Sequence, residues 1–286
     1  MRDIEHKAQW TPLRKIRSAA QKIDRYGLVD FASDVYRRRV VIPLVTGRHR
    51  PVKGFEQLVS DIQGKHGLEI GGPSQIFQQS SMVPIYRHIV SLDNCNFAAE
   101  TTWEGHIEEG AFSIGGKIVG RQYICEAIDV GERLSDNSYD FVVSSNCLEH
   151  VANPLKAVAS WLKVLQPGGL LLLVVPNKRH NFDRLRPDTS FDHLLADYTA
   201  DVGEDDDHHY SEIMDLTDLR VVPKRLIMDR EDLARQTLNG FHNRQNHHHV
   251  FSLETTRQVC GFFGLKVFLA EDVGTDFVVA AKATRS

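Results

Sequence analysis

The sequence predicts a layered α/β fold built on a mostly parallel sheet. Three observations carry this. From His66 onward, short apolar runs alternate with amphipathic stretches of helical period. One of those runs, Tyr139 to Ser144, is continuously apolar at its centre, as a strand buried on both faces requires. The first run closes on Gly71-Gly72-Pro73-Ser74, a strand-ending turn that lets the backbone approach a ligand.

The elements follow in order. Gly67 to Ile70 reads as the first strand, His88 to Leu92 as the second with Asp93 at its end, Tyr123 to Ile128 as the third and Tyr139 to Ser144 as the fourth. Pro154 to Leu165 is a helix whose apolar side holds Leu155, Val158, Ala159 and Leu162. Pro167-Gly168-Gly169 then turns the chain into the strand Leu170 to Val175. After a helix over Leu253 to Phe263, Leu265 to Glu271 and Phe277 to Ala281 form a closing antiparallel hairpin around Gly274-Thr275.

Two segments stand outside this alternation. Residues 1–64 read as an N-terminal helical extension, with Leu13, Ile16, Ala20 and Ile23 at helical spacing and a further helix from Phe55 to Ile62. Residues 177–249 form a polar insertion, too long for a plain connection, and read as a lid on the domain spanning residues 65–286. Charge is uneven: residues 1–50 hold twelve Lys/Arg against five Asp/Glu, whereas residues 201–240 hold eleven acids against five bases. The basic extension reads as a solvated face, a cap over a cleft, or a surface for an anionic partner.

Composition narrows the class. With 286 residues, 42% hydrophobic and 25% charged, the chain is an ordinary globular one. A net charge of −4 argues against a nucleic-acid binder. The sequence has no apolar run of bilayer length, and the first ten residues lack a secretory core, so a cytoplasmic protein without integral membrane contact is expected. Cys95, Cys125, Cys147 and Cys260 lack CxxC spacing and read as buried small hydrophobes. Oligomeric state stays open.

The glycine turn paired with Asp93, 22 residues after Gly71, points to a nucleoside-containing ligand, the acid accepting from ribose hydroxyls. A nicotinamide-dependent oxidoreductase would use the same pair, although the turn lacks GxGxxG. A binding module without catalysis is the third class.

Glu69-Ile70-Gly71-Gly72, Asp93, the run Asp136 to His150 and Leu165-Gln166-Pro167-Gly168-Gly169-Leu170 together resemble the class I S-adenosylmethionine-dependent methyltransferases. The turn departs from that family's GxGxG, with Pro73-Ser74 in place of a third glycine. The resemblance implies a Rossmann-like, seven-stranded sheet and S-adenosylmethionine as cofactor. It implies that Glu69, Gly71 and Gly72 border the methionine end and that Asp93 holds the ribose. It further implies that Glu126-Ala127, with Asp129 as a second choice of acid, meets the adenine, and that Ser145 and Asn146 face the sulfonium and the acceptor. Ser145 and Asn146 also read as a helix N-cap.

A hydroxyl acceptor needs a base or a metal, whereas an amine needs only to be neutral. His150, one turn beyond the fourth strand, titrates near neutrality and is the first candidate base, or else a helix-face histidine packed on the lid. His208 and His249 are the lid's candidates. His208 would share a helix face with Glu212, and His249 a strand face with His247. Their spacing matches no zinc motif such as HExxH, so a polar lid is favoured over a divalent metal. Asp188 to Leu194 and His247 to Phe251 are similar to segments of methyltransferases from glycan and natural-product pathways. The expected activity is O-methylation of a sugar or other polyhydroxylated small molecule, with N-methylation as the alternative.

Overall fold

A computed structural model describes residues 51–222 and 229–283. The chain divides into two units, Met1–His49 and Arg50–Ser286. The helix expected around Leu13 to Ile23 and its basic face lie outside the described residues.

The described unit is an eight-stranded sheet sandwiched between two apolar layers. Its strands are β1 (His66–Ile70), β2 (Ser91–Asn96), β5 (Gly110–Ile114), β6 (Lys117–Ile124), β7 (Tyr139–Ser145), β8 (Leu165–Pro176), β9 (Lys266–Asp272) and β10 (Asp276–Lys282), in the order β5-β6-β2-β1-β7-β8-β10-β9. The five central strands, β6 to β8 in that order, run parallel; β10 pairs antiparallel with both β8 and β9. The α/β class and the closing hairpin are as the sequence predicts. The eighth strand is β5, which pairs antiparallel with β6 at the far edge. Two short strands, β3 (Glu100–Thr101) and β4 (Gly105–His106), form a separate hairpin.

Strand alternation splits the core. On β8, Leu171, Leu173 and Val175 face one layer while Leu170, Leu172 and Val174 face the other. The first layer is covered by α2 (Val130–Arg133), α3 (Pro154–Val164) and α8 (Leu253–Phe262), through Val130, Leu155, Val158, Trp161 and Val259. The second is covered by α1 (Phe55–Ile62), whose Phe55, Leu58 and Ile62 are buried. This helix, read from sequence with the extension, packs on the sheet. Helix starts are legible in the sequence: Asn153 with Pro154 opens α3, and Ser252 opens α8, each side chain accepting from a first-turn amide.

The sheet reverses direction of growth at β1. From β1 the chain builds outward to β2 and β6, then returns to β7 on the other side. A crevice outside the carboxyl ends of β1 and β7 is where such sheets bind ligands.

The insertion has its own order: α4 (Phe191–Thr199), α5 (Tyr210–Leu216), α6 (Arg230–Leu238) and α7 (Gly240–Asn243). A small apolar cluster of Ile213, Val222 and Leu233 lies within it. Its hub is Arg186, 2% exposed. The guanidinium donates to Asp183 (2.9 Å), Glu212 (2.7 Å) and the carbonyls of His247 (2.8 Å) and His248 (3.3 Å). Burying this cation is tolerable because most of its N–H groups meet an acceptor.

Candidate active site

The carboxyl ends of β1 and β7 meet. Gly71, with φ of 82°, leaves β1 in a conformation that disfavours any side chain, and a Cβ there would lie 3.0 Å from Cys147 Cβ. Its amide donates to Cys95 O (2.8 Å), and the Gly72 amide to Asn94 Oδ1 (3.1 Å). Both turn amides are therefore used inside the fold, and the glycines serve close approach rather than donation. Ser144 Oγ donates to Ile70 O across the β1–β7 seam (3.3 Å).

Glu69 lies under this turn, wholly buried, rather than on its rim. Its carboxylate accepts from Ser74 N (3.0 Å) and Tyr86 Oη (2.8 and 2.9 Å), and a Cβ on Gly72 would fall 2.2 Å from it. Burial pushes the Glu69 carboxyl up to about 7, opposed by the Ser74 and Tyr86 hydrogen bonds. This residue shapes the loop from behind.

Asp93 does not end β2. The strand runs on to Asn96, and Asp93 pairs in register with Leu68. Its carboxylate accepts from Arg121 N (2.8 Å) and Tyr139 Oη (2.9 Å) and lies 3.5 Å from His66 Nε2. His66 and Tyr139 are the first residues of their strands, so Asp93 faces the amino-terminal edge of the sheet, away from the crevice. Burial opposes its ionisation, but the hydrogen bonds from His66, Arg121 and Tyr139 outweigh this and lower its pKa. The residue at the strand end is Asn96, whose Nδ2 donates to Gly72 O (3.0 Å). Its neighbour Asn94 exchanges two hydrogen bonds with Gly72. An aspartate after an apolar run resembles a strand terminus, and the polar stretch Asp93-Asn94 hides the continuation of β2 to Asn96.

After β6, Glu126 precedes a 3-10 turn over Ala127–Asp129. Trp161 Nε1 donates to Ala127 O (2.8 Å), which pins this loop to α3. Asp129 is exposed at the end of the turn. Glu126 is half-buried and pairs with Arg244 Nη2 of the insertion (2.6 Å). Arg244 also pairs with the buried Glu204, and its guanidinium lies 5.4 Å from the Phe97 ring centre. Burial raises both carboxyls, Glu204 to about 7, against the pull of Arg244. Arg244 falls in the polar segment 177–249, and nothing in its spacing pairs it with Glu126.

At the end of β7 Ser145 is buried, and Asn146 just after it is exposed, in a left-handed conformation with φ of 49°. Neither side chain caps the 3-10 turn Leu148–His150 that follows. The Asn146 amide instead donates to Val174 O (2.9 Å).

His150 stands on that turn beside Glu149, which is 1% exposed. His150 Nδ1 lies 3.1 Å from Asn246 O, an acceptor only, so Nδ1 carries the proton and Nε2 presents a lone pair. Nε2 is 3.9 Å from Glu149 Oε1. The ring meets His247 (4.5 Å between centres) and Trp103 (5.2 Å), an exposed residue on the β3–β4 hairpin. Burial, then the neighbouring His247, lowers the His150 pKa well below the usual histidine value. His247 moves the other way: burial opposes protonation, but its contact with Asp183 raises it. Burial pushes the Glu149 carboxyl up to about 7.

The remaining lid candidates go elsewhere. His208 precedes α5, points into solvent and pairs with Asp206, while Glu212 is taken by Arg186. No strand spans 247–249: His247 packs on His150, whereas His249 Nε2 lies 3.0 Å from Ala152 O. The structure thus brings together Gly71, Asn96, Glu126, Asn146 and His150 around the strand ends, and leaves Asp93, His208 and His249 outside.

A methyltransferase domain family matches residues 53–269. No curated protein matches the chain. Among solved structures, the chain is similar to a SAM-dependent methyltransferase from Aquifex aeolicus, with 14% identity, a TM-score of 0.42, and 80% of this chain and 89% of that one covered. It is similar to an S-adenosylmethionine-dependent methyltransferase from Mesorhizobium loti, with 11% identity, a TM-score of 0.44, and 80% and 95% covered. A third is the Burkholderia thailandensis 1,6-didemethyltoxoflavin-N1-methyltransferase with bound 1,6-didemethyltoxoflavin and S-adenosylhomocysteine, at 10% identity and a TM-score of 0.42, with 97% and 93% covered. Among the described residues no helix is long and apolar enough to cross a membrane.

Proposed function

The chain belongs to the methyltransferase domain family and is an S-adenosylmethionine-dependent methyltransferase, and on that premise we propose that it methylates a hydroxyl of a saccharide or similar polyhydroxylated small molecule, with His150 as general base. The observation that carries this reading is the state of His150: its tautomer is fixed by Asn246 O, its burial keeps it neutral, and its free Nε2 stands beside the β7 exit. An amine acceptor would not require such a base.

The strand ends fit a nucleoside thioether. Gly71 and Gly72 form the turn at the β1 end, packed on Cys147 and Glu69 too closely for any side chain, Asn96 supplies a polar group at the β2 end, and Glu126 a carboxylate after β6. Asn96 takes the ribose role first read for Asp93, and Glu126 the adenine role with the Ala127 backbone beside it. Asn146 borders the reacting end. Bound there, S-adenosylmethionine supplies a methyl group already activated on a positive sulfur.

The residues of the chain then align and deprotonate. With the cofactor's methyl group as the electrophile, His150 Nε2 would take the proton of the acceptor hydroxyl as that oxygen is methylated. Glu149, 3.9 Å from that nitrogen, stabilises the imidazolium. Trp103, exposed next to His150, offers a flat apolar face against which a sugar ring packs. His208 and His249 have no part in this reading.

The test is a screen of saccharides and small-molecule amines for methyl transfer from labelled S-adenosylmethionine. Transfer to saccharide hydroxyls that collapses in His150→Ala supports the reading; transfer to amines alone, unaffected by that substitution, overturns it.

A further inference from the structure

We propose that the insertion holds a mononuclear divalent-cation site suited to zinc, made by His193, Asp197, His209 and His249. Each of these residues offers one nitrogen or carboxylate oxygen within 4.8 Å of all the others. His193 and Asp197 lie one turn apart on α4 and so share a face. His209 comes from the turn that enters α5, and His249 from the segment that leads into α8. Three separate stretches of chain converge on one point.

The spacings match a tetrahedral ion. Bonds of about 2.0–2.1 Å to nitrogen and oxygen place tetrahedral ligands about 3.3 Å apart. His193 Nε2 is 3.2 Å from His209 Nε2 and 3.3 Å from Asp197 Oδ2, and His249 Nδ1 is the ring nitrogen left to ligate. Hydrogen bonding among the four leaves groups unserved. A single proton on His193 Nε2 cannot satisfy both His209 Nε2 and Asp197 Oδ2. Asp197 Oδ2 and His249 Nδ1 are in fact buried without a hydrogen-bond partner, and the His249 side chain is wholly buried. Leaving buried polar atoms unpaired is costly, and a cation removes that cost at one stroke.

The donor set selects the metal class. Three imidazoles and one carboxylate suit zinc and related transition ions and are poor for calcium or magnesium, which prefer oxygen. His249 also shows the support typical of a ligating histidine, a backbone carbonyl (Ala152 O, 3.0 Å) against one ring nitrogen. Among the described residues two other groups have ligand-like spacing, and both are less suited. In one, His247 is committed to Asp183; in the other, His208 is exposed on Asp206.

Such an ion would clasp α4 and the entry to α5 to the 247–249 segment. The His249 amide donates to Glu149 O (3.3 Å), so the clasp also fixes the strand-exit loop that carries His150. The site stands on its own coordination geometry and does not require the acceptor to be a saccharide.

The full chain, stripped with a chelator and titrated with zinc against a chromophoric competitor, tests the site. The expected result is one zinc per chain, a rise in thermal midpoint of several degrees that chelator reverses, and the visible bands of tetrahedral cobalt when cobalt replaces zinc. His193 is partly exposed, so His193→Ala is expected to fold with an unchanged circular dichroism spectrum and to lose stoichiometric binding. His209→Ala repeats the test from a second element. Substoichiometric zinc in the wild-type chain, octahedral cobalt bands, or equal binding by a folded His193→Ala protein would each overturn the proposal.

Discussion

His150 shows how surroundings set the ionisation of a side chain. A histidine in water is half protonated near pH 6.5, but burial and the neighbouring His247 hold this one neutral well below that value. The acid limb of kcat/KM is therefore expected to lie below pH 6.5, and His150→Ala to reduce turnover by roughly 10²–10⁴-fold with the thermal midpoint little changed. A pH profile and a melting curve on the same protein check both. Glu69 gives a second prediction at this scale. Its folded pKa of about 7 stands above the ordinary 4.5, because burial penalises the charge. A raised carboxyl contributes stability that is complete below pH 4.5 and is lost as pH rises through 7. Glu69→Gln is expected to abolish that decline, so that stability between pH 4.5 and 8 changes by about 3 kcal/mol less than in the wild type, read by denaturant unfolding at each pH. Asp93 is the residue whose place was not legible: its identity suggests a strand terminus, and only the β1–β2 register puts it in mid-strand opposite Leu68.

At the scale of elements, the strands were legible because apolar periodicity and turn residues are local properties. Tyr139 to Ser145 and the closing hairpin fall where the pattern puts them. The edge strand β5 did not, because Gly110 to Ile114 is short, mostly exposed and defined by its partner β6. Close packing between β1 and β7 makes a direct test. A Cβ on Gly67 would lie 1.9 Å from the Phe141 ring, so Gly67→Ala is expected to cost about 1–3 kcal/mol. The double variant Gly67→Ala with Phe141→Leu should lose less than the sum of the two, which a double-mutant cycle in urea measures. In the insertion, Arg186→Ala leaves Asp183 buried with only His247 opposite it. The expected cost is about 3–5 kcal/mol, with the insertion cut by protease before the sheet.

At the scale of the molecule, the reversal of the parallel sheet at β1 lies where such folds bind ligands, and ligand occupancy there should stabilise the fold by mass action. S-adenosylhomocysteine at 100 times its Kd is expected to add about 2.7 kcal/mol, read as a rise of several degrees in thermal midpoint. Glu126→Ala should shrink that rise; an unchanged shift would remove Glu126 from the cofactor site. The local periods of the sequence determined the α/β class, the order of the central strands along the chain and the glycine turn, since these depend on neighbours a few residues apart. Tertiary structure alone decided that Asn96 rather than Asp93 ends β2 beside Gly72, that Arg244 joins Glu126 across 118 residues, and that four side chains of the 177–249 segment converge on one point. Those outcomes depend on register and on long-range closure, which periodicity along one chain does not encode.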